Sequence, residues 1–215
     1  MKTFLIIGMG RFGRHAARKL FELGHEVMAV DEREDCISEA LPYTTRGLIG
    51  NGTSEAFIES IGVNNFDACI VAIGDDFQSS LEATSLLKEH GAKLVIARAA
   101  RSVHAKFLLR NGADHVVYPE KQLAEWTAIR YSSDHIIDYI ELDKEYNMIE
   151  VPVPEQWNRK SIGQLDIRKH FGINIIAIRT GGRLRMNIMA DTELSDEDTL
   201  LVIGRYEDIR RCFHL

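Results

Sequence analysis

The feature that most constrains this 215-residue chain is an apolar run, close to its amino terminus, that ends in a glycine-rich turn. Residues 4–13 have the sequence FLIIGMGRFG, with Gly8, Gly10 and Gly13 in the G-x-G-x-x-G spacing. Glycine at these positions permits a sharp turn, close approach of a phosphate to the backbone, and tight packing of the next helix on the sheet. The pattern therefore predicts a strand–loop–helix unit whose helix start faces phosphates. The alternative is a glycine-rich turn that binds nothing.

A second apolar run, residues 26–30, ends at Asp31. The spacing from the glycine loop is about that at which an acidic side chain meets the ribose hydroxyls of an adenine nucleotide. A carboxylate there disfavours a 2′-phosphate, so NADP is the least expected ligand. Arg11 places a permanent cation inside the loop, which favours ATP or ADP over NAD because a guanidinium can hold a terminal phosphate. The alternative for Arg11 is an arginine that faces solvent at the helix start.

Short apolar runs alternate with helical patterns as far as residue 118, which predicts an α/β fold: a doubly wound, Rossmann-type parallel sheet. We expect six strands, at residues 4–7, 26–30, 46–50, 68–73, 93–97 and 115–118. A helix over 103–110 should turn Phe107 and Leu108 inward. A further helical stretch, 120–138, either covers the last strand or contacts a partner, because its apolar side chains fit both interpretations.

Prolines at positions 152 and 154 interrupt this rhythm, and a smaller α+β lobe follows. We expect a helix over 161–169, a strand over 173–178, a turn at Gly181 and Gly182, strands over 184–187 and 198–204, and a last helix over 206–213. The expected domains are 1–133, which bind a nucleotide and include the crossover helix, and 134–215, which form the second lobe.

Composition and missing motifs exclude several classes of function. A net charge of -6 argues against nucleic acid as a partner. The three cysteines are far apart, so neither a disulfide framework nor a zinc site is expected. Without a signal peptide or a long apolar segment, the chain is expected to be cytoplasmic. It has no Tyr-x-x-x-Lys, H-E-x-x-H, G-x-S-x-G or Walker motif, so sensing is favoured over catalysis. The alternative is an NAD-dependent oxidoreductase or an NAD redox sensor.

Six segments together resemble one family: GMGRFG at 8–13, the acid Asp31, GNGTSE at 50–55, VAIGDDFQSS at 71–80, GADHVVYPE at 112–120 and DIRKHFGINIIAIRTGG at 166–182. The chain is similar to the RCK (TrkA-family) regulatory subunits of Ktr/Trk-type bacterial potassium uptake systems, of the KtrA/KtrC type. The resemblance covers almost the whole chain and implies an RCK-N domain and an RCK-C lobe.

Such a protein is not an enzyme. The resemblance implies a homo-octameric ring, built from dimers and lying on the cytoplasmic face of the cell membrane. There it gates a potassium-translocating membrane subunit of the KtrB, KtrD or TrkH type. ATP and ADP give the ring different shapes.

The resemblance also implies roles for individual residues. Arg11 meets the terminal phosphate, Asp31 holds the ribose, and Arg98 reaches the nucleotide of the neighbouring subunit. Glu120 holds Mg²⁺ or Ca²⁺ between two nucleotides; its alternative is an acid at a helix start. The remaining nucleotide contacts are Gly8, Met9, Gly10, Phe12, Gly13, Asn51, Thr53, Ile73 and Gly74. Asn51 stands where many relatives have Asp.

In the second lobe the resemblance places a site for cyclic di-AMP at Arg168, Asn174 and Ile175. Arginine suits phosphates and asparagine suits the edge of a base. The alternative is that Arg168 ends a helix and Asn174 is a turn residue.

Overall fold

The computed structural model describes all 215 residues, which separate into two compact units, Met1–Lys121 and Gln122–Leu215. The domain boundary expected after residue 133 stays a prediction. The two compact units divide twelve residues earlier, after Lys121. Each unit contains its own sheet. No helix of the chain combines the length and the apolar character needed to cross a membrane.

The first unit is a six-stranded parallel sheet with helices between successive strands, as the sequence predicted. Its elements in chain order are β1 Thr3–Ile7, α1 Arg11–Glu22, β2 Glu26–Asp31, α2 Glu34–Ala40, β3 Arg46–Ile49, α3 Glu55–Ile61, β4 Ala68–Val71, α4 Phe77–Glu89, β5 Val95–Arg98, α5 Ser102–Arg110 and β6 His115–Val117. Helix α6, Pro119–Arg130, follows and begins in the first unit and ends in the second.

The strand order is β3-β2-β1-β4-β5-β6, and all neighbours are parallel. The central strand β4 is buried along its whole length, because helices cover both faces of the sheet. The order reverses between β1 and β4. In open α/β sheets a crevice for ligands opens at that point, outside the carboxyl ends of the strands.

Two expectations for the helices of this region were wrong. Phe107 does not point inward: it is 41% exposed and meets the edge of the Phe77 ring, while Leu108 alone is fully buried. The helical stretch expected to run to residue 138 ends at Arg130. The Arg130 guanidinium donates to the carbonyl of Ile136 across a short loop, and the chain then enters a strand at Asp138.

The second unit is a five-stranded antiparallel sheet with short helices. Its elements are β7 Asp138–Glu141, β8 Tyr146–Pro152, α7 Ile162–Leu165, α8 Ile167–Phe171, β9 Asn174–Thr180, β10 Arg183–Arg185, β11 Thr199–Arg205 and α9 Tyr206–Phe213. The strand order is β10-β9-β11-β8-β7. The turn at Gly181 and Gly182 is confirmed, since both have positive φ and join β9 to β10.

The sequence missed the β7–β8 hairpin. Of the two prolines taken as the opening of the lobe, Pro152 is the last residue of β8 and Pro154 lies just beyond it. The single helix expected over 161–169 is in fact two helices. Asp166 adopts a left-handed conformation with φ of 43° between them, and a left-handed residue ends an α-helix.

Candidate functional site

The glycine loop joins β1 to α1, and its three glycines meet different surroundings. A side chain at Gly13 would lie 2.0 Å from the Gly8 carbonyl oxygen, so α1 can pack against the loop only if this residue is glycine. Gly8 has φ of 96°, a backbone conformation that favours glycine. Gly10 differs, because a side chain there would meet no atom within 4 Å. The backbone at Gly10 is therefore open to a ligand.

Helix α1 begins directly after Gly10 and has neither a side-chain cap nor an acidic residue in its first turn. The first backbone N–H groups of a helix have no partner within the helix. Those of Arg11, Phe12 and Gly13 lie at the positive end of a 12-residue helix. This helix start is suited to a phosphate.

Asp31 joins the end of β2 to the glycine loop. Its carboxylate accepts the Met9 N–H at 2.6 Å and the Arg33 N–H at 2.9 Å. The Met9 side chain is fully buried in the core beneath the loop, so a ligand could contact only the backbone of Met9. Asp31 itself lines the crevice, where a carboxylate can also accept a ribose hydroxyl.

Two adjoining cavities open at the carboxyl ends of the strands. A cavity of about 210 Å³ is lined by Ile7, Gly8, Asp31, Glu32, Arg33, Gly50, Asn51, Gly52, Thr53, Ile73, Asp76 and Ser79. A second, of about 600 Å³, is lined by Gly8, Gly10, Arg11, Phe12, Asp31, Ala72, Ile73, Gly74, Asp75, Asp76, Arg98, Pro119 and Glu120. Four shared residues, Gly8, Asp31, Ile73 and Asp76, connect the two cavities. Every sequence-predicted residue of this site lines one of them except Met9 and Gly13.

The smaller cavity has the character of a nucleoside site. Asn51 Oδ1 accepts both the backbone N–H and the hydroxyl of Thr53, each at 2.7 Å. This closes a local turn and leaves the Asn51 amide nitrogen to donate to a ligand. The larger cavity holds the two arginines, Arg11 and Arg98, and has the character of a phosphate site.

Arg98 lies at the end of β5 with only 15% of its side chain exposed. Its Nη2 donates to Glu120 Oε1 at 2.5 Å, while its Nε is buried and has no hydrogen-bond partner. A side chain at Gly74 would lie 1.9 Å from Arg98 Nη1, so glycine makes room for the guanidinium. Leaving a buried donor unpaired is unfavourable. A phosphate oxygen is the kind of acceptor that would satisfy it.

Glu120 lies in the first turn of α6 and is well exposed. The backbone N–H at the helix start, and then Arg98, hold the pKa of this carboxyl below its ordinary value. No three His, Cys, Asp or Glu side chains come close enough to hold a metal ion. A cation at Glu120 would therefore need most of its ligands from elsewhere, such as phosphates. The metal role of Glu120 stays a prediction.

Sequence reasoning missed Asp76 and Ser79, which line the smaller cavity. Asp76 caps α4 by accepting the Ser79 N–H at 3.0 Å and the Ser79 hydroxyl at 2.7 Å. The sequence does indicate their position. Both residues follow the apolar run of β4 closely, so they lie at the same edge of the sheet as the glycine loop.

The second unit has a separate cavity of about 230 Å³ between α7, α8 and β9. Arg168, Asn174 and Ile175 all line it, together with Ile162, Gly163, Asp166, Ile167 and Ile173. The structure thus brings the three sequence-predicted residues together. What they bind stays a prediction.

An open parallel sheet with a phosphate-type crevice, followed by an antiparallel lobe, defines a two-domain nucleotide-binding class of protein. Residues 4–119 match the TrkA-N domain family, and residues 148–214 match the TrkA-C domain family. The chain belongs to the TrkA family of RCK regulatory subunits, which confirms the resemblance inferred from its motifs.

Its relatives include two proteins of Bacillus subtilis. The chain is 38% identical to Ktr system potassium uptake protein C and 35% identical to Ktr system potassium uptake protein A. Each alignment spans 98% of this chain and 95% of the relative.

Solved RCK structures share the fold. The crystal structure of the GsuK RCK domain superposes with a TM-score of 0.70 at 21% identity, over 100% of this chain and 47% of that one. The GsuK channel bound to NAD gives a TM-score of 0.68 at 21% identity, over 96% of this chain and 38% of that one. This chain thus spans less than half of each, and the likeness confirms the predicted architecture.

Proposed function

We propose that this chain is a nucleotide-sensing regulatory subunit of a Ktr-type potassium uptake system. The proposal that the chain binds a nucleotide rests on the Nε–H of Arg98, which is buried and has no hydrogen-bond partner. Arg98 lines the same cavity as the open Gly10 backbone and the uncapped start of α1. These three features favour an anion with the shape of a diphosphate or triphosphate. The potassium part rests on family membership and on the two Bacillus subtilis relatives.

The proposed ligand is ATP or ADP. Asp31 would hold the ribose, Asn51 and Thr53 the nucleoside side, and Arg11 the terminal phosphate. Because Arg98 lines the cavity of its own chain, it would bind the phosphates of the nucleotide held there, and not those of the neighbouring subunit's nucleotide, through the N–H groups that Glu120 does not occupy. Mg²⁺ or Ca²⁺ would bind Glu120 with phosphate oxygens as its further ligands. NAD is the competing ligand, because Asp31 suits its ribose equally well.

The proposed assembly is a homo-octameric ring of dimers on the cytoplasmic face of a membrane subunit of the KtrB, KtrD or TrkH type. Nucleotides can control such a ring only if ATP and ADP bind its alternative shapes with different affinity. Cyclic di-AMP is the proposed ligand of the cavity at Arg168, Asn174 and Ile175. The test for that site is whether Arg168→Ala weakens cyclic di-AMP binding and leaves ADP binding unchanged.

Calorimetric titration with ATP, ADP, NAD and NADH, each with and without Mg²⁺, tests the main proposal. Arg11→Ala should weaken ATP binding by about tenfold or more, because a hydrogen bond to a charged group is lost. Glu120→Gln should abolish the effect of Mg²⁺. Arg18→Ala, on the same helix but stacked over Tyr43, is the matched control and should bind like the wild type. Preferential binding of NAD or NADH, with an affinity that Arg11→Ala does not change, would instead favour an oxidoreductase or a redox sensor.

Potassium uptake into vesicles that contain a Ktr membrane subunit tests the transport part. Added protein should change the uptake rate, and ATP and ADP should change it by different amounts. Uptake that does not respond to the protein would contradict the proposal.

A further inference from the structure

We infer that His104 is a positioning residue for the nucleotide cavity, since it joins the loop that follows Arg98 to the first turn of α4. This inference rests on the proposed nucleotide-binding function. His104 lies in the first turn of α5 and is 1% exposed. It lines neither cavity, so it would act through the residues that it holds.

Both ring nitrogens of His104 have partners. Nδ1 lies 3.3 Å from the backbone nitrogen of Ala100, and Nε2 lies 3.2 Å from the Ser80 hydroxyl oxygen. A backbone N–H can only donate, so Nδ1 must be the acceptor and the ring proton of the neutral imidazole lies on Nε2. Nε2 therefore donates to Ser80. We call this Ala100–His104–Ser80 connection the histidine bridge.

The histidine bridge joins a wall of the larger cavity, at Arg98, to a wall of the smaller cavity, at Ser79. On one side, Ala100 lies two residues after Arg98, and the intervening Ala99 N–H is fixed to the Val117 carbonyl at 2.8 Å. On the other side, Ser80 is fully buried in the first turn of α4, next to the cavity-lining Ser79. One imidazole thus sets the separation between the Arg98 wall and the α4 wall.

The surroundings of His104 keep it neutral. Burial is the largest cause, and the cations of Arg101, just before the helix of His104, and of Arg98 on β5 add to it; together they lower the pKa of His104. On the α4 side the ring faces no charge, only Ser80 and the Phe77 ring at 5.0 Å. A protonated ring would direct N–H at the Ala100 N–H and break the bridge. The neutral ring is the form that can hold both walls.

Titration with Mg²⁺–ADP at pH 7.5 tests the inference. His104→Gln retains an acceptor and a donor, and glutamine at this helix position can reach back to the preceding backbone. We expect it to bind ADP within about threefold of the wild type. His104→Leu fills the space without hydrogen bonds and should weaken binding by about tenfold.

Leu108→Ala is the matched control, because it removes a fully buried side chain from the same helix and leaves the bridge intact. It should lower the melting temperature while keeping ADP affinity within about twofold, which separates positioning from general destabilisation. A folded His104→Leu variant with wild-type affinity would overturn the inference. So would a His104→Gln variant that loses as much affinity as His104→Leu.

If His104→Leu does not fold, Ser80→Ala removes only the α4 end of the bridge. We expect it to weaken ADP binding by about fivefold, and wild-type affinity in Ser80→Ala would overturn the inference. A wild-type protein that binds no nucleotide would overturn the proposed function and this inference together. Nucleotide binding by the wild type that neither His104→Leu nor Ser80→Ala weakens would overturn this inference alone.

Discussion

The glycines of the loop have two different roles, one in the packing of the fold and one in access for a ligand. Gly13 is required by the fold, because a side chain would collide with the Gly8 carbonyl at 2.0 Å. Gly10 is not, since nothing lies within 4 Å of the position of its missing side chain, and its φ of −64° suits any residue. If Gly10 is required at all, the requirement comes from a ligand.

Alanine substitutions separate these two needs. Gly10→Ala should leave the free energy of unfolding within about 0.5 kcal/mol of the wild type, as for most surface changes, yet weaken ATP or ADP binding, because a methyl group would stand where the phosphate approaches the backbone. Gly13→Ala should lower stability by about 1–3 kcal/mol or more, as overpacking does. Chemical denaturation and calorimetric titration measure both. A Gly10→Ala variant with wild-type affinity would show that the loop does not hold the phosphates.

Most of the nucleotide cavity was predictable from the sequence, because the ends of parallel strands must meet at one edge of the sheet. The glycine spacing located Gly8, the end of the second strand located Asp31, and the family resemblance added Ile73 and Arg98; all four lie at or just after the end of a parallel strand. The prediction that Phe107 points inward was wrong because helical periodicity does not distinguish which of two neighbouring apolar residues is buried. Tertiary packing decides between them: Leu108 joins the core of the first unit, whereas Phe107 lies against the Phe77 ring on another helix.

At the scale of elements, an ion pair between the buried Glu150 carboxylate and the partly exposed Arg179 helps to join three strands of the second unit. Glu150 on β8 is 4% exposed and accepts from Arg179 on β9 at 2.7 and 3.0 Å and from the Thr199 hydroxyl on β11 at 2.5 Å. Chiefly through its bond with Arg179, Glu150 has a lowered pKa. A buried carboxylate with this many partners fixes the register of the three strands.

Glu150→Gln should therefore destabilise the protein by about 1–3 kcal/mol, because Arg179 loses its charged partner. Since the folded state lowers the pKa of Glu150, its contribution is complete above the unfolded value of about 4.3 and is lost as pH falls through the lower, folded value. The difference in unfolding free energy between wild type and Glu150→Gln should accordingly shrink below about pH 4.3.

Glu145→Gln is the matched control for this prediction, because Glu145 pairs with Arg205 at the exposed end of the same strands. It should cost less than about 1 kcal/mol. Equal costs for Glu145→Gln and Glu150→Gln in urea denaturation would contradict the role assigned to the buried Glu150 carboxylate.

The elements that the sequence misplaced have a common cause. Where helix α6 ends, the Arg130 side chain donates to the Ile136 carbonyl, a contact that helical periodicity does not encode. The break between α7 and α8 depends on Asp166 adopting positive φ, which aspartate tolerates better than most residues but does not require. Both boundaries coincide with a side-chain contact or a backbone conformation that the apolar periodicity of the sequence does not reveal.

At the scale of the whole molecule, α6 is the least covered helix. The sequence left two interpretations of its apolar residues open, cover for the last strand or contact with a partner. None of its 12 residues is buried. Leu123 is 63% exposed and Trp126 is 37% exposed. A helix that buries no residue within its own chain gains little stability from packing against that chain. We therefore expect α6 to contact a partner.

We expect this helix to contact a second copy of the chain in the proposed ring of eight. Mass photometry of the wild type should then show particles of about eight times 24.3 kDa, or dimers at low concentration. Leu123→Glu should shift the distribution toward single chains, because a carboxylate in an apolar interface is costly to desolvate. Gln122→Glu adds the same charge at the neighbouring helix position and should leave the mass unchanged. An unchanged mass in Leu123→Glu would show that α6 does not hold the copies together, and circular dichroism of the variant would establish that its fold is intact.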